Sequence, residues 1–312
     1  MKSKASNHFP QIKTHDNEPL LFNPILKKRF KNRPEERVRL KWVEYLNHQT
    51  DWPKSRLGFE APVKLQQEKN NLRADLILYS RQMKPEILIE CKAESVKLTN
   101  AVGEQAARYN QEVGAPYICL TNGITDFWYK VSNNSVSAIE ATSGPDFPIK
   151  PTKKFSELNR DFNYWQDRGF CAGNFTATDK EMLYKSISHF WSDALDWRQT
   201  YLDFSSSPFE FGLQQYYRIP VIDNQQKLAI SFIANPAGST HLIAILNKKG
   251  RNHALLAIHL NRLSEDHSNS ATLFQSGEMK KIDAGKHFTF FKHGYSEKLI
   301  EQLPHYLMRF FV

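Results

Sequence analysis

Arg73-Ala74-Asp75, Ile87-Leu88-Ile89-Glu90-Cys91-Lys92 and Gln105-Ala106-Ala107-Arg108-Tyr109 are the three short runs on which the reading of this chain turns. Side chains alternate between the faces of extended backbone, so Glu90 and Lys92 leave one face of a strand while Ile89 and Cys91 leave the other. Ile87, Leu88 and Ile89 are apolar up to the charges, which places Glu90 at the rim of a buried sheet. Asp75 lies in the preceding strand-like run, Ala74–Tyr79, and the hairpin around Arg81–Pro85 brings it alongside. Gln105 and Tyr109 are four apart on a helix expected over Thr99–Val113 and ended by Gly114, hence on one face.

Two carboxylates and a lysine therefore converge at one end of a sheet. Adjacent carboxylates repel unless a cation lies between them, and a hard, oxygen-only donor set of this size suits Mg2+ (or Mn2+) completed by water and phosphate. A lysine beside such a cation orients or deprotonates an attacking water, or stabilises charge building on phosphorus. Phosphodiester hydrolysis is the reaction that uses this set.

Working outward, Pro34 suits a first helical position and Glu35 and Glu36 suit the positive end of the helix dipole. Val38, Trp42, Val43, Tyr45 and Leu46 then form an apolar stripe that stops before Asp51-Trp52-Pro53. Strands are expected at Phe59–Leu65, Ala74–Tyr79, Ile87–Cys91, Tyr117–Thr121 and Asp126–Val131, the last two flanking a turn at Asn122-Gly123. The order α-β-β-β-α-β-β is that of an α/β domain with a mixed central sheet. Residues 1–25, with Pro10, Pro19 and Pro24, read as an arm laid over it.

TSGPDFPIKPTKK, residues 142–154, marks a linker between a first domain over residues 1–141 and a second over 155–312. The second is expected to be α+β and of unassigned role, in target or partner binding. It has a helix over Lys180–Arg198 with a capping box from Thr178 and Glu181, and strands at Leu228–Asn235, His241–Asn247, Ala254–Asn261 and Phe288–Phe291. A final helix is expected over Glu297–Phe310. Two domains also agree with a length of 312 residues.

The chain carries 42 basic and 33 acidic residues, a net charge of +9. Lys27, Lys28, Arg29, Lys31, Arg33, Arg37, Arg39 and Lys41 fall within fifteen residues that hold only Glu35 and Glu36 as acids. Such density favours a polyanion, because each Lys or Arg brought to a phosphate releases counterions. Lys27, Lys28, Arg29, Lys31, Arg33, Arg37 and Lys41 are the nucleic-acid-binding candidates. The alternative is a solvated helix face.

Read together, the ordered Asp, Glu-x-Lys and Gln-x-x-x-Tyr resemble the PD-(D/E)XK nuclease superfamily. The likeness is to RecB-like nucleases, and above all to the N-terminal nuclease domain of type I restriction enzyme R subunits. It extends to Asn23-Pro24-Ile25, Pro34-Glu35-Glu36-Arg37-Val38-Arg39, Phe59-Glu60 and Leu120-Thr121-Asn122-Gly123, and covers about residues 20–131. The resemblance implies a restriction-endonuclease-like core in which Asp75 and Glu90 bind Mg2+ (or Mn2+), with Glu36 or Glu60 as a further acidic group. Lys92 is then catalytic, Gln105 and Tyr109 support the site, and DNA, preferentially double-stranded, is the substrate. It further implies separate restriction-modification subunits as partners. Unlike complete R subunits, the chain has no Walker motif: Ala284-Gly285-Lys286-His287 lacks the upstream glycine and the Ser or Thr that holds Mg2+. The competing expectation is a catalytically inactive nucleic-acid-binding or protein-interaction module, in which Asp75 or Glu90 merely salt-bridges Lys92.

The remaining patterns exclude more than they assign. Cys91, Cys119 and Cys171 form no C-x-x-C pair and fit a reducing cytosol. His253 and His259, six apart, are too widely spaced for a shared metal. No window reaches the roughly 18 uncharged apolar residues of a spanning helix, and the first residues lack the apolar core of a signal peptide. A cytoplasmic protein without membrane contact is expected.

Overall fold

The computed structural model describes residues 1–312 except 17, 64–71, 133–134, 140–146, 205–207 and 312. Residues 142–146 of the expected linker, and the end of the expected strand Phe59–Leu65, lie outside the described residues. The chain forms two compact units, Met1–Leu158 and Asn159–Val312.

The first unit begins with β1 (Gln11–His15), β2 (Glu18–Asn23) and β3 (Lys28–Phe30), which pair antiparallel as a small sheet. The residues expected as an arm, 1–25, thus include two strands, β1 and β2, that the sequence did not announce. Pro19 is tolerated in β2 because β3 pairs only from Leu21 onward, so the missing N–H falls where β2 is an edge strand. The residues before β1 are held down as well: Ala5 and Phe9 are buried, and the Lys4 amide donates to Asp126 Oδ2 at 2.8 Å.

α1 (Pro34–Gln49) has Pro34 in its first turn, as its sequence requires. β4 (Leu57–Val63), β5 (Leu72–Tyr79), β6 (Pro85–Cys91), α2 (Asn100–Val113), β7 (Tyr117–Thr121), β8 (Asp126–Ser132) and β9 (Ser135–Ile139) complete the unit. The six strands form one sheet in chain order, antiparallel throughout except for the parallel pair β6 and β7 that α2 connects. It is a mixed α/β fold. Gly114, at φ 72°, closes α2 in the left-handed conformation that an L side chain resists.

Strand alternation divides the sheet between the two helices. Leu76, Leu78, Ile87, Ile89 and Cys91 pack with Val38, Trp42 and Leu46 of α1, whereas Ile77 and Leu88 pack with Tyr109 and Val113 of α2. Trp42 anchors the first layer. It is fully buried, donates Nε1–H to Thr121 Oγ1 at 3.1 Å, and meets the rings of Tyr45 and Trp128 edge-on at 5.4 and 6.0 Å.

The second unit holds α3 (Phe162–Gln166), α4 (Ala177–Phe190), β10 (Arg198–Leu202), β11 (Gln215–Ile219), β12 (Gln226–Ala234), β13 (Thr240–Lys248), β14 (Arg251–His259), α5 (Leu260–Ser264), β15 (Ala271–Gln275) and β16 (Glu278–Ile282), then α6 (Glu297–Glu301) and α7 (Leu303–Met308). Its seven strands make one antiparallel meander in chain order. Three expectations fail here for local reasons. α4 starts earlier and stops at Phe190, because Thr176, not Thr178, accepts the Asp179 amide, and the Ser192 amide turns back to His189. Phe288–Phe291 is not a strand: the Phe288 amide bonds back to Ala284, and Phe288 and Phe290 are buried in a turn. The last helix divides because Pro304 has no amide to give to Ile300. Among the described residues no helix is long and apolar enough to cross a membrane.

Trp42→Ala removes the largest buried side chain shared by α1 and the sheet, and is expected to cost about 3–5 kcal/mol. A urea titration checks this: a loss under about 1 kcal/mol would mean that Trp42 does not anchor the layer.

Candidate active site

The β5–β6 ladder runs from Leu78↔Ile87 to Leu76↔Ile89, and the next residues on each strand are Asp75 and Glu90. Here a side chain stands in for the backbone: Asp75 Oδ2 accepts the Cys91 amide at 2.7 Å. The Lys92 amide is meanwhile held by Thr121 O on β7 at 2.8 Å. The Glu-x-Lys run is thereby fixed to the strands on both sides of it, and its charged side chains have little backbone freedom.

Lys92 Nζ donates to Glu90 Oε1 at 2.8 Å. On the other side Arg39, from α1, donates Nη2–H to Asp75 Oδ1 at 2.5 Å and Nη1–H to Glu36 Oε2 at 2.8 Å. The result is a row of charges, Glu36, Arg39, Asp75, Glu90 and Lys92, alternating in sign except where Asp75 meets Glu90. All are largely shielded; the side chain of Glu90 is only 6% exposed.

That like-charge junction is electrostatically unsettled. Burial, and then the charge of Asp75, push the Glu90 carboxyl up to about 7 against the opposing pull of Lys92. Glu90 Oε2 is buried and accepts no hydrogen bond among the described residues. Burial alone would lower Lys92, but Glu90, with smaller contributions from Asp75 and Glu35, carries it above its ordinary value. The ammonium form is therefore held. Cys91 faces the α1 layer, fully buried, and its thiol is pushed well up by burial. It is a packing residue.

Tyr109 lies against Ile77 and Leu88 on the α2 side of the sheet, the side to which Glu90 alternates. Gln105 is one turn earlier on α2, and its side chain lies outside the described residues, as does that of Glu60. In register, Glu60 falls between the pairs Phe59↔Leu76 and Ala61↔Ala74, opposite Asp75. Among the described residues no three His, Cys, Asp or Glu side chains form a ready metal cage. The donor chemistry nonetheless fits Mg2+: an orphaned carboxylate oxygen on Glu90, beside a second carboxylate, needs a cation that keeps much of its own water.

The basic stretch divides. Lys27, Lys28, Arg29, Lys31 and Arg33 are exposed on and around β3, while Arg37 is half-buried and donates to Asn32 Oδ1 at 2.9 Å. Lys41 does not belong with them. It is 1% exposed and pairs with Glu94 at 3.4 Å, because it faces the segment between β6 and α2. Conversely, Arg39 reads in the sequence as no more than one charge in a basic run. Its spacing of three from Glu36 was the available signal, since it puts both on one helix face.

A mixed α/β unit with a carboxylate–lysine cluster at the end of its central strands is the class that the fold and the site define. Within it, residues 34–145 match the family described as type I restriction enzyme R protein N terminus, about a third of the chain. No curated protein and no solved structure matches the chain.

Raising the folded-state pKa of Glu90 means that its contribution to stability is fully present below the unfolded carboxyl value and is lost as pH rises toward about 7. In metal-free protein, Glu90→Gln is therefore expected to gain stability relative to wild type between pH 5 and pH 8. Urea midpoints of both proteins at the two pH values check it, and parallel pH dependence would contradict the raised value.

Proposed function

We propose that the first unit is a Mg2+-dependent (or Mn2+-dependent) endonuclease that hydrolyses phosphodiester bonds of DNA, double-stranded DNA in preference. Its core would be of the PD-(D/E)XK, restriction-endonuclease-like type, related to the nuclease domain of type I restriction R subunits. The family match over residues 34–145 supports a role connected with restriction. The observation that carries the reading is the junction of Asp75 with Glu90 beside Lys92, with Glu90 Oε2 buried and unpaired.

Asp75 and Glu90 would hold the cation, with Glu36 or Glu60 as a further acidic group. When bound, it supplies Lewis-acid polarisation of a phosphoryl oxygen and a lowered pKa for attacking water. Lys92, as an ammonium, donates a hydrogen bond to the reacting phosphate or water and opposes charge building on phosphorus. Arg39 fixes the orientation of Asp75, while Gln105 and Tyr109 on α2 support the site from the other side of β6. The exposed cations Lys27, Lys28, Arg29, Lys31 and Arg33 hold the DNA backbone. Its partners would be separate restriction-modification subunits, in the cytoplasm.

A second reading has its own observation. Arg39 with Asp75, and Lys92 with Glu90, already pair each carboxylate with a cation, as in a catalytically inactive nucleic-acid-binding or protein-interaction module.

The two separate in one experiment. With a plasmid substrate, Mg2+ or Mn2+ supports cleavage, while Ca2+ supports binding without turnover because of its looser coordination. Lys92→Ala is expected to lower the cleavage rate at least a hundredfold with DNA binding retained, and Glu90→Ala to lose both cation binding and cleavage. DNA binding without any cleavage in Mg2+ or Mn2+ favours the inactive module, while wild-type rates in excess chelator, or in Lys92→Ala, overturn the metal or the lysine mechanism.

Neutralising Lys27, Lys28 and Arg29 together is expected to weaken binding to all sequences alike and to reduce the salt slope by roughly 0.9 per lost phosphate contact. Titrations at several salt concentrations check it; equal slopes and affinities would leave these charges as solvated surface.

A further inference from the structure

In the second unit, one face of the seven-stranded sheet is covered over Ile243, Ile245 and Leu255 by the aromatic segment around Phe209 and Phe211. Toward the start of β13 the cover ends and a cavity of about 290 Å³ opens. Its floor follows from strand register. His241 pairs with His259, and in the next row Ile243, Ala257, Thr272 and Lys281 follow one another across four strands. Ala257 is too small to fill the space above it.

The walls differ in chemistry. On one side Phe211 stacks on Phe209, with centroids 5.5 Å apart and planes 14° apart, and lies against the His241 ring at 4.4 Å. On the other are Arg262 and Lys281, the latter donating to Thr272 Oγ1 at 2.9 Å. Glu210 is the one carboxylate among the described lining residues. Between these walls stand the two imidazoles, 4.7 Å apart. His241 is 5% exposed, and its Nδ1 is buried with no hydrogen-bond partner among the described residues. Burial and then His259 drive it down to about 3, so it is neutral and offers a donor and an acceptor. His259 Nδ1 accepts the Arg262 amide at 3.3 Å, which leaves the proton on Nε2 as a second donor.

An apolar ligand would strand the imidazole, and a bare metal cation would meet Arg262 and Lys281. What matches every wall is a planar, hydrogen-bonding ring joined to an anion. The volume of about 290 Å³ falls just short of the roughly 300–1,000 Å³ of small-molecule sites, which suits one nucleotide and not a duplex.

We propose that this cavity binds a single nucleotide: the base stacks on Phe211 and hydrogen-bonds His241, and the phosphate is held by Arg262 and Lys281. The nucleotide is either free or an unpaired residue of a DNA strand; the recognition chemistry is the same. The site is independent of Asp75, Glu90 and Lys92.

The test is calorimetric titration of the full chain, in excess chelator so that no cleavage is possible. The ligands are AMP, GMP, CMP and TMP, inorganic phosphate, and a mixed-sequence single-stranded 12-mer. Saturable binding of at least one mononucleotide, or of the 12-mer, is expected. Arg262→Gln and Lys281→Gln, both exposed and therefore harmless to folding, should each weaken it about tenfold. Phe211→Leu should weaken nucleotide binding by a similar factor. Binding of mononucleotides identifies a free ligand, and binding of the 12-mer alone, with the same losses, identifies a strand. The proposal is overturned if neither binds, if inorganic phosphate binds as tightly as the nucleotides, or if Arg262→Gln and Lys281→Gln bind like wild type. Cleavage by the first unit has no bearing on any of these outcomes.

Discussion

Two carboxylates set side by side at the end of a buried ladder are the constraint around which the first unit is arranged. In a medium that screens poorly, such a pair is tolerated only with cations close by. Arg39 on α1 and Lys92 on β6 meet that demand from opposite directions. The helix supplying Arg39 must then lie at a fixed distance from β5, and the packing of Trp42, Val38 and Leu46 against the strands keeps it there. Electrostatics and apolar packing hold the same helix to the same strands, so neither can be altered without moving the other.

How much of this was legible depends on how local the causes are. The Glu-x-Lys run, α1 with Pro34 and α2 with Gly114 could be read because alternation, capping and breaking act within a few residues. Arg39 could not be singled out, because its significance comes from Asp75, thirty-six positions away and on another element. Lys41 misled for the same reason: a charge looks solvent-bound until a distant carboxylate is found to cover it. β1 to β3 escaped because short strands whose outer residues are exposed leave little apolar alternation to see.

The second unit illustrates the same limit from the other direction. Its long strands β12 to β14 are apolar enough to announce themselves, yet the cavity at their end is made by residues from four strands, α5 and the loops around them, drawn from stretches far apart in sequence. His241 and His259 become neighbours only through the pairing of β13 with β14, and spacing along the chain gives no hint of it. A histidine count was available; a histidine contact was not.

The buried pair of Lys41 and Glu94 has an evolutionary corollary. Removing one member leaves the other as an uncompensated interior charge, a change that costs several kcal/mol, whereas exchanging both for apolar side chains of similar volume is close to neutral. Positions 41 and 94 are therefore expected to drift together across a lineage, passing between a charged couple and a greasy one with few mixed intermediates. Such correlated substitution ties α1 to the segment before α2 by descent as firmly as the contact ties them in space.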